Sequence, residues 1–374
     1  MEKAFLVLED GTTYEGTSFG FSKTPTDGQS GEVVFNTGMA GYPETLTDPS
    51  YRGQILIATY PLLGNYGIPD WDAVDRYGIR EHFESDDVHI RGLVVSEYAE
   101  EPSHYQNTQT LSQFLKDHKV PAISGIDTRS LTKKIREHGV MKGKIFVRKM
   151  PNTKAAKEFT YDTDKEDLVA EVSTKKVTEY GRGKKRICLV DTGVKHNIIR
   201  SLLEYDTTVI RVPHNYPFMS GLATGTIKFD ALFIPNGPGN PAINKKLIAE
   251  IRKALKAKKN IFGICLGNQL ISLAGGCKTK KLKYGHRSVN QPCMDLTTNH
   301  CIITSQNHGF AVQDASMPPN IKPWFVNLND NSNEGIYYTD RPARAVQFHP
   351  ESWPGPVDAH YLFADFVNSI KPTK

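Results

Sequence analysis

Hydrophobic residues recur along this chain in two different rhythms. Up to about residue 150 they come in short runs, at 4–8, 32–35, 54–58, 92–95 and 143–147, each of strand length. The segments between them are rich in Gly, Pro, Asp and Thr and read as turns. Helical spacing appears later. Leu111, Phe114 and Leu115 share one face of a helix predicted over about 109–118, and Leu131 and Ile135 lie on one face of another over about 127–138. Asp127 or Thr128 can cap that second helix, and Gly139 can stop it. Strands first and helices later predict a mixed α+β domain over residues 1–150.

Between 151 and 185 the apolar residues become isolated among Thr, Lys, Asp and Glu, and the stretch reads as a linker. From Arg186 the second rhythm sets in, a repeat of strand, turn and helix. Strands are predicted at 187–190, 208–212, 231–234 and 260–264, with helices over about 195–205, from the loop at 235–241 through about 257, and from just after Cys265 to about 274. Shorter strands at about 300–305, 323–328, 335–339 and 344–348 and a helix over about 357–369 follow. This alternation predicts an open, mostly parallel α/β sheet over residues 186–374, a fold that binds ligands at the carboxyl ends of its strands.

Composition changes the picture little. The chain has 374 residues, 39% hydrophobic and 23% charged, ordinary for a globular protein of two or three domains. A net charge of +5 spread over that surface does not call for nucleic acid. Two lysine clusters, Lys253, Lys256, Lys258, Lys259 and Lys278, Lys280, Lys281, Lys283, read as solvated faces. The five cysteines include no C-x-x-C pair, which argues against a disulfide framework or a zinc site and for a reducing, cytoplasmic setting. The first ten residues hold too short an apolar run for a signal peptide, and no window approaches a membrane span, so no membrane partner is expected.

One stretch stands out chemically. Gly263-Ile264-Cys265-Leu266-Gly267 ends an apolar run and opens a helical one. It is a cysteine form of the nucleophile elbow, G-x-S-x-G, at a sharp strand-to-helix turn. Side chains on either side of the nucleophile would block so tight a turn, so Gly263 and Gly267 flank it. The helix behind Cys265 aims its free N–H groups and positive end at the sulfur, which favours the thiolate. A cysteine nucleophile needs a base, and the base needs an orienting group. Of the twelve histidines, His349 is delivered by a predicted strand and followed by Pro350, which keeps it extended. Glu351, two residues on, can face the same site and fix the imidazole tautomer. The Leu266 backbone N–H is one oxyanion donor. The loop Asn236-Gly237-Pro238-Gly239, one strand earlier, is the candidate for the other.

Together, Gly-Ile-Cys-Leu-Gly-Asn-Gln at 263–269, Asn-Gly-Pro-Gly-Asn-Pro at 236–241 and Phe-His-Pro-Glu at 348–351 resemble the class I (triad) glutamine amidotransferases. Ser305-Gln306-Asn307-His308-Gly309-Phe310-Ala311-Val312 narrows the match. So do Gly31-Glu32-Val33-Val34-Phe35-Asn36-Thr37-Gly38, Gly41-Tyr42-Pro43-Glu44, Thr47-Asp48-Pro49-Ser50-Tyr51 and Gly125-Ile126-Asp127-Thr128-Arg129. With these the chain resembles the small, glutaminase subunit of carbamoyl-phosphate synthetases, or the equivalent N-terminal region of the fused eukaryotic enzymes. The resemblance covers nearly the whole chain and is weakest over 150–185.

It implies hydrolysis of L-glutamine through a γ-glutamyl thioester, with Cys265 as nucleophile, His349 as base and acid, and Glu351 as orienter. Leu266 and Gly237 match the oxyanion positions. Ser50, Gly239, Gln269, Asn307, Gly309 and Phe310, with Gly237 and Leu266, match the glutamine-contacting positions. Ser50 belongs to the first domain, so this assignment expects a site between domains. No cofactor or metal is expected in this chain. ATP and magnesium are expected in a large synthetase partner, separate or fused, that makes carbamoyl phosphate from bicarbonate and ammonia for pyrimidine or arginine synthesis. The sequence departs from the family at one site position: Asn268 stands where the family usually has His.

Two rival readings stand beside this one, the second from a different class. A glutaminase serving a different synthase would lack the N-terminal domain of about 150 residues. A regulatory, catalytically silent glutaminase-like module has only Asn268 in its favour, while Cys265, His349 and Glu351 all stand.

Overall fold

The computed structural model describes residues 2–25, 28–149 and 158–372, in two compact units, Met1–Glu166 and Asp167–Lys374. In the first unit the strands are β1 (Glu2–Leu8), β2 (Thr13–Ser18), β3 (Gln29–Asn36), β4 (Gln54–Ala58), β5 (Leu62–Leu63), β6 (Gly92–Val94), β7 (Glu97–Tyr98), β8 (Ala122–Ser124) and β9 (Met141–Val147). Seven of them close into a barrel in the order β1-β2-β8-β6-β4-β3-β9. Pairing is parallel along β3, β4, β6 and β8 and antiparallel elsewhere in the barrel. Closure gives each of the seven strands a neighbour on both sides. Val34, Leu56, Leu93 and Ala122 are buried with Leu111, Phe114 and Leu115 of the helix Leu111–Asp117 in one core. That helix starts where the Thr110 side chain accepts from the Gln113 N–H. The helix Thr128–His138 starts the same way, with Asp127 accepting from Ser130, and ends at Gly139. Strand β2 escaped the sequence reading because Thr-Tyr-Glu-Gly-Thr-Ser is polar and mostly solvent-facing.

The second unit carries a ten-stranded sheet of β10 (Thr178–Tyr180), β11 (Lys185–Asp191), β12 (Thr207–Pro213), β13 (Ala231–Ile234), β14 (Asn260–Ile264), β15 (Thr279–Asp295), β16 (His300–Val312), β17 (Ile321–Asn327), β18 (Asn333–Tyr338) and β19 (Ala343–Val346). The order is β10-β12-β11-β13-β14-β19-β18-β17-β15-β16. Strands β12, β11, β13, β14 and β19 run parallel, and the four from β18 to β16 are antiparallel. This is the expected mixed α/β sheet. The hairpin β15–β16 is longer than the single strand expected at 300–305, since exposed lysines and polar residues broke the apolar pattern on β15.

The stretch read as a linker divides. Residues 151–157 lie outside the described residues, and residues up to Glu166 go with the first unit. Asp167 then caps a short helix, Leu168–Val172, whose Leu168 and Val169 are buried, and β10 pairs with β12 at the sheet edge. The isolated apolar residues there are thus anchors of the second unit. Among the described residues no helix is long and apolar enough to cross a membrane.

Candidate active site

Strand β14 ends at Ile264, and Cys265 follows at φ 54°, ψ −105° as the N-cap of the helix Leu266–Gly275. Such a backbone costs a non-glycine residue about 1–3 kcal/mol and persists only where its surroundings impose it. Here the Cys265 N–H donates to Val346 O at 2.8 Å and the Gly267 N–H to Pro235 O at 3.0 Å. A Cβ on Gly267 would overlap the Ile234 carbonyl, and one on Gly263 would press on Ile271 and the Gly267 backbone. The elbow is therefore held from β13, β19 and its own helix, and the two glycines leave room for it.

Past the end of β19 the chain bends at residues 347–348, and the His349 N–H donates to Ser305 O at 2.9 Å. His349 Nδ1 lies 2.6 Å from Glu351 Oε1. Lys195 Nζ lies 3.0 Å from the same oxygen and donates to Ser352 O at 2.7 Å. All three side chains are buried. Nδ1 thus donates to the carboxylate. With Nδ1 taken by Glu351, Nε2 is the ring nitrogen left for proton transfer, and the imidazole interacts with the Cys265 side chain. Burial disfavours the charged imidazole, but the Glu351 carboxylate and then the Cys265 sulfur outweigh it, so His349 is raised above its ordinary value. Burial likewise pushes Glu351 up, yet Lys195 and then His349 hold it well below the usual carboxylate range. The arrangement keeps Glu351 charged and His349 ready to give a proton.

The sulfur of Cys265 is 3.6 Å from Asn307 O on β16. Gln269 Nε2 donates to Phe310 O at 2.9 Å. Gly237 adjoins Leu266: a Cβ on Gly237 would sit 2.7 Å from Leu266 Cδ2 and overlap the Thr192 carbonyl. Cys265, Leu266, Gln269, Gly237, Asn307, Phe310, His349 and Glu351 therefore come from strand ends and a hairpin of one sheet. Gly309 packs beside Arg287, and Gly239, at φ 81°, packs beside Leu168. Ser50 is buried in the first unit, in the turn Pro49–Tyr51, where its N–H donates to Asp48 Oδ1 at 2.9 Å.

Sequence reasoning missed Lys195 and Asn197, and took Asn236 only as part of the Gly237 loop. Asn197 Nδ2 donates to Glu351 O at 2.7 Å, and the Lys195 N–H donates to Asn236 Oδ1 at 3.0 Å. Lys195 thereby links the orienting carboxylate to the loop that holds Gly237. The signal was present: residues 192–195 follow β11 at a carboxyl end, where parallel sheets collect ligands. Lys195 had instead been read as the first residue of a helix.

One further cluster carries metal-ligand chemistry: donor atoms of His286, His308 and Glu334 lie within 4.8 Å of one another. His286 Nε2 is 3.0 Å from Asp330 Oδ2, and its Nδ1 is 3.4 Å from Glu334 Oε1. Burial opposes its charge, but bonds to Asp330 and then Glu334 raise it to about 9. A histidine held protonated between two carboxylates makes ion pairs and offers no lone pair to a metal.

Comparison with known proteins bears on both units. Residues 6–145 match the family described as carbamoyl-phosphate synthase small chain, CPSase domain, and residues 188–369 match glutamine amidotransferase class-I. The chain is 43% identical over 378 residues to the carbamoyl phosphate synthase arginine-specific small chain of Saccharomyces cerevisiae, covering 99% of this chain and 89% of that one. It is 47% identical to multifunctional protein CAD of Squalus acanthias, over 99% of this chain, and 44% identical to the mitochondrial carbamoyl-phosphate synthase (ammonia) of Homo sapiens, over 100% of it. It spans only 16% and 24% of the lengths of those two relatives.

Proposed function

The chain belongs to the family of carbamoyl-phosphate synthase small chains, and on that premise we propose that it is the glutaminase of such a synthase, hydrolysing L-glutamine through a thioester on Cys265. The observation that carries this reading is the buried series Cys265, His349, Glu351 and Lys195. The sulfur attacks the carboxamide carbon, and the carbonyl oxygen gathers negative charge towards the Leu266 and Gly237 N–H groups. Collapse breaks the C–N bond as His349 gives its proton to the leaving nitrogen, and ammonia departs. His349 then takes a proton from water, the hydroxide adds to the thioester, the C–S bond breaks and glutamate leaves. Glu351, kept charged by Lys195, orients the imidazole throughout.

Gln269, Asn307, Gly309 and Phe310, with Gly239, Gly237 and Leu266, are the proposed glutamine contacts in the second unit. Support comes from the bonds of Gln269 and Asn307 around the nucleophile. Ser50 is proposed on the resemblance alone. Ammonia is nucleophilic only when neutral, so the product must pass protected to a synthetase component. We take that partner, separate or fused, to bind ATP and magnesium and to make carbamoyl phosphate from bicarbonate, for pyrimidine or arginine synthesis. This chain needs no cofactor for its half of the reaction. A reducing, cytoplasmic setting fits its five free thiols.

The test is a split assay of the chain with its synthetase component. Cys265→Ser is expected to abolish glutamine-dependent carbamoyl phosphate formation and to leave ammonia-dependent formation within about twofold, since it removes only the transition-state attack. Loss of both activities, or retention of both, contradicts the reading.

A further inference from the structure

Beneath the site lies a second constellation that the hydrolysis scheme does not use. Asn268 and Gln347 are completely buried, and Gln269 is nearly so. Asn268 Nδ2 donates to Gln347 Oε1 at 3.3 Å, and Gln269 Nε2 donates to the same oxygen at 3.1 Å. Gln269 Nε2 also donates to Phe310 O at 2.9 Å. The orientation of each amide follows from the one before it. Phe310 O can only accept, so Gln269 must turn its nitrogen that way. Gln347, facing the same nitrogen, must present oxygen. Asn268, facing that oxygen, must present nitrogen. Both protons of Gln269 Nε2 are thus consumed by the protein, and the side chain has only Oε1 to offer a ligand.

The same contacts tie two catalytic elements together. Gln347 precedes His349 by two residues, just past the end of β19. Gln347 N–H donates to Glu334 O at 2.8 Å, which pins that segment to β18. Asn268 lies on the helix that begins at the nucleophile. The Asn268–Gln347 bond therefore joins the Cys265 helix to the His349 strand. The arrangement also leaves Asn268 Oδ1 and Gln347 Nε2 buried without partners among the described residues. Unsatisfied buried amide atoms are costly, and a site that served packing alone would have apolar residues there.

We propose that Asn268 is a positioning residue: together with Gln269 it holds the Gln347 carbonyl oxygen in place, and so supports the orientation, set by Phe310 O, in which Gln269 meets an N–H donor of bound glutamine with its Oε1. This rests on the glutaminase reading above. On it, Asn268 does not mark a disabled site. What the position requires is an N–H donor, which asparagine and histidine both carry.

The experiment measures glutamine hydrolysis by the chain with its synthetase component, for wild type and three substitutions, with the thermal unfolding midpoint of each. Asn268→Ala removes the donor and is expected to raise KM for glutamine about tenfold, the scale of one buried hydrogen bond, while kcat changes less than about threefold. Asn268→Asp sets oxygen against oxygen and is expected to raise KM at least as much. Asn268→His restores an N–H and is expected to bring KM back to within about threefold of wild type. An unchanged KM for Asn268→Ala overturns the proposal, as does an equal rise for Ala, Asp and His, which would mean packing decides. If Asn268→Ala does not fold, the contrast of Asp with His carries the test. Absence of glutamate from the wild-type complex would instead sink the functional reading, and the wild-type arm alone reveals it.

Discussion

Both units bury polar side chains, but they use them differently. In the first unit they hold loops and strands together in small, separate groups: the Glu84 N–H donates to Thr47 Oγ1 at 3.0 Å, Ser85 Oγ donates to Thr47 O at 2.6 Å, and Gln54 Nε2 donates to Glu32 Oε2 at 3.2 Å. In the second unit they converge. Lys195 follows β11, Asn236 follows β13, Cys265 follows β14, and Gln347, His349 and Glu351 follow β19. An open parallel sheet brings the carboxyl ends of successive strands to one edge, so four segments distant in sequence can supply one site. The barrel runs its strands both ways and closes on itself, which spreads its strand ends over two rims. Chemistry therefore gathers in the open sheet. The placement of a polar residue relative to a strand end distinguishes a functional side chain from one that satisfies a turn.

The largest effect is expected from removing a converging residue that touches no substrate in the proposed mechanism. Lys195→Met leaves Glu351 buried without its cation. It is expected to lower kcat for glutamine roughly a hundredfold through the misoriented His349 and to destabilise the second unit by roughly 3–5 kcal/mol. The pH profile provides a readout that simple damage would not move. Glu351 is held low chiefly by Lys195 against burial, so its contribution to stability and activity is present above the ordinary carboxylate range and is lost as pH falls through the depressed value. Without Lys195 the depression shrinks, and the acid limb of kcat/KM moves to higher pH. An acid limb that stays in place would mean Lys195 does not act through Glu351.

A smaller effect probes the other side of the comparison. Ser50 is the one proposed glutamine contact in the barrel unit. Ser50→Ala is expected to raise KM for glutamine by about tenfold while lowering kcat less, as loss of a single binding hydrogen bond requires. An unchanged KM would leave the binding machinery wholly within the second unit.

Legibility in the sequence follows the same division. In the second unit each strand, loop and helix is local, so the period of apolar residues located β11, β13, β14 and β19. The residues just beyond them could then be read as chemistry. Cys265, His349 and Glu351 were found this way, and the structure places them together. Lys195 was missed because a lysine near a helix start reads as a solvated charge until the partner carboxylate is known. In the barrel, β1, β3, β4 and β9 were visible as apolar runs. Closure was not, because it depends on pairing β1 with β9, more than a hundred residues apart, in a register that no local pattern encodes. Asn268 stood out as a departure from the family pattern, yet its contacts with Gln347 emerge only once the helix and the end of β19 are brought side by side.

On the proposed mechanism Cys265 becomes a γ-glutamyl thioester during turnover. The most direct measurement is to mix the chain and its synthetase component with glutamine, quench in acid within the first turnovers, and determine the mass of the Cys265 peptide. That peptide is expected to carry one added glutamyl group, sensitive to hydroxylamine and absent from Cys265→Ser. Glutamate release with Cys265 unmodified, or a glutamyl group found on another residue, would contradict it.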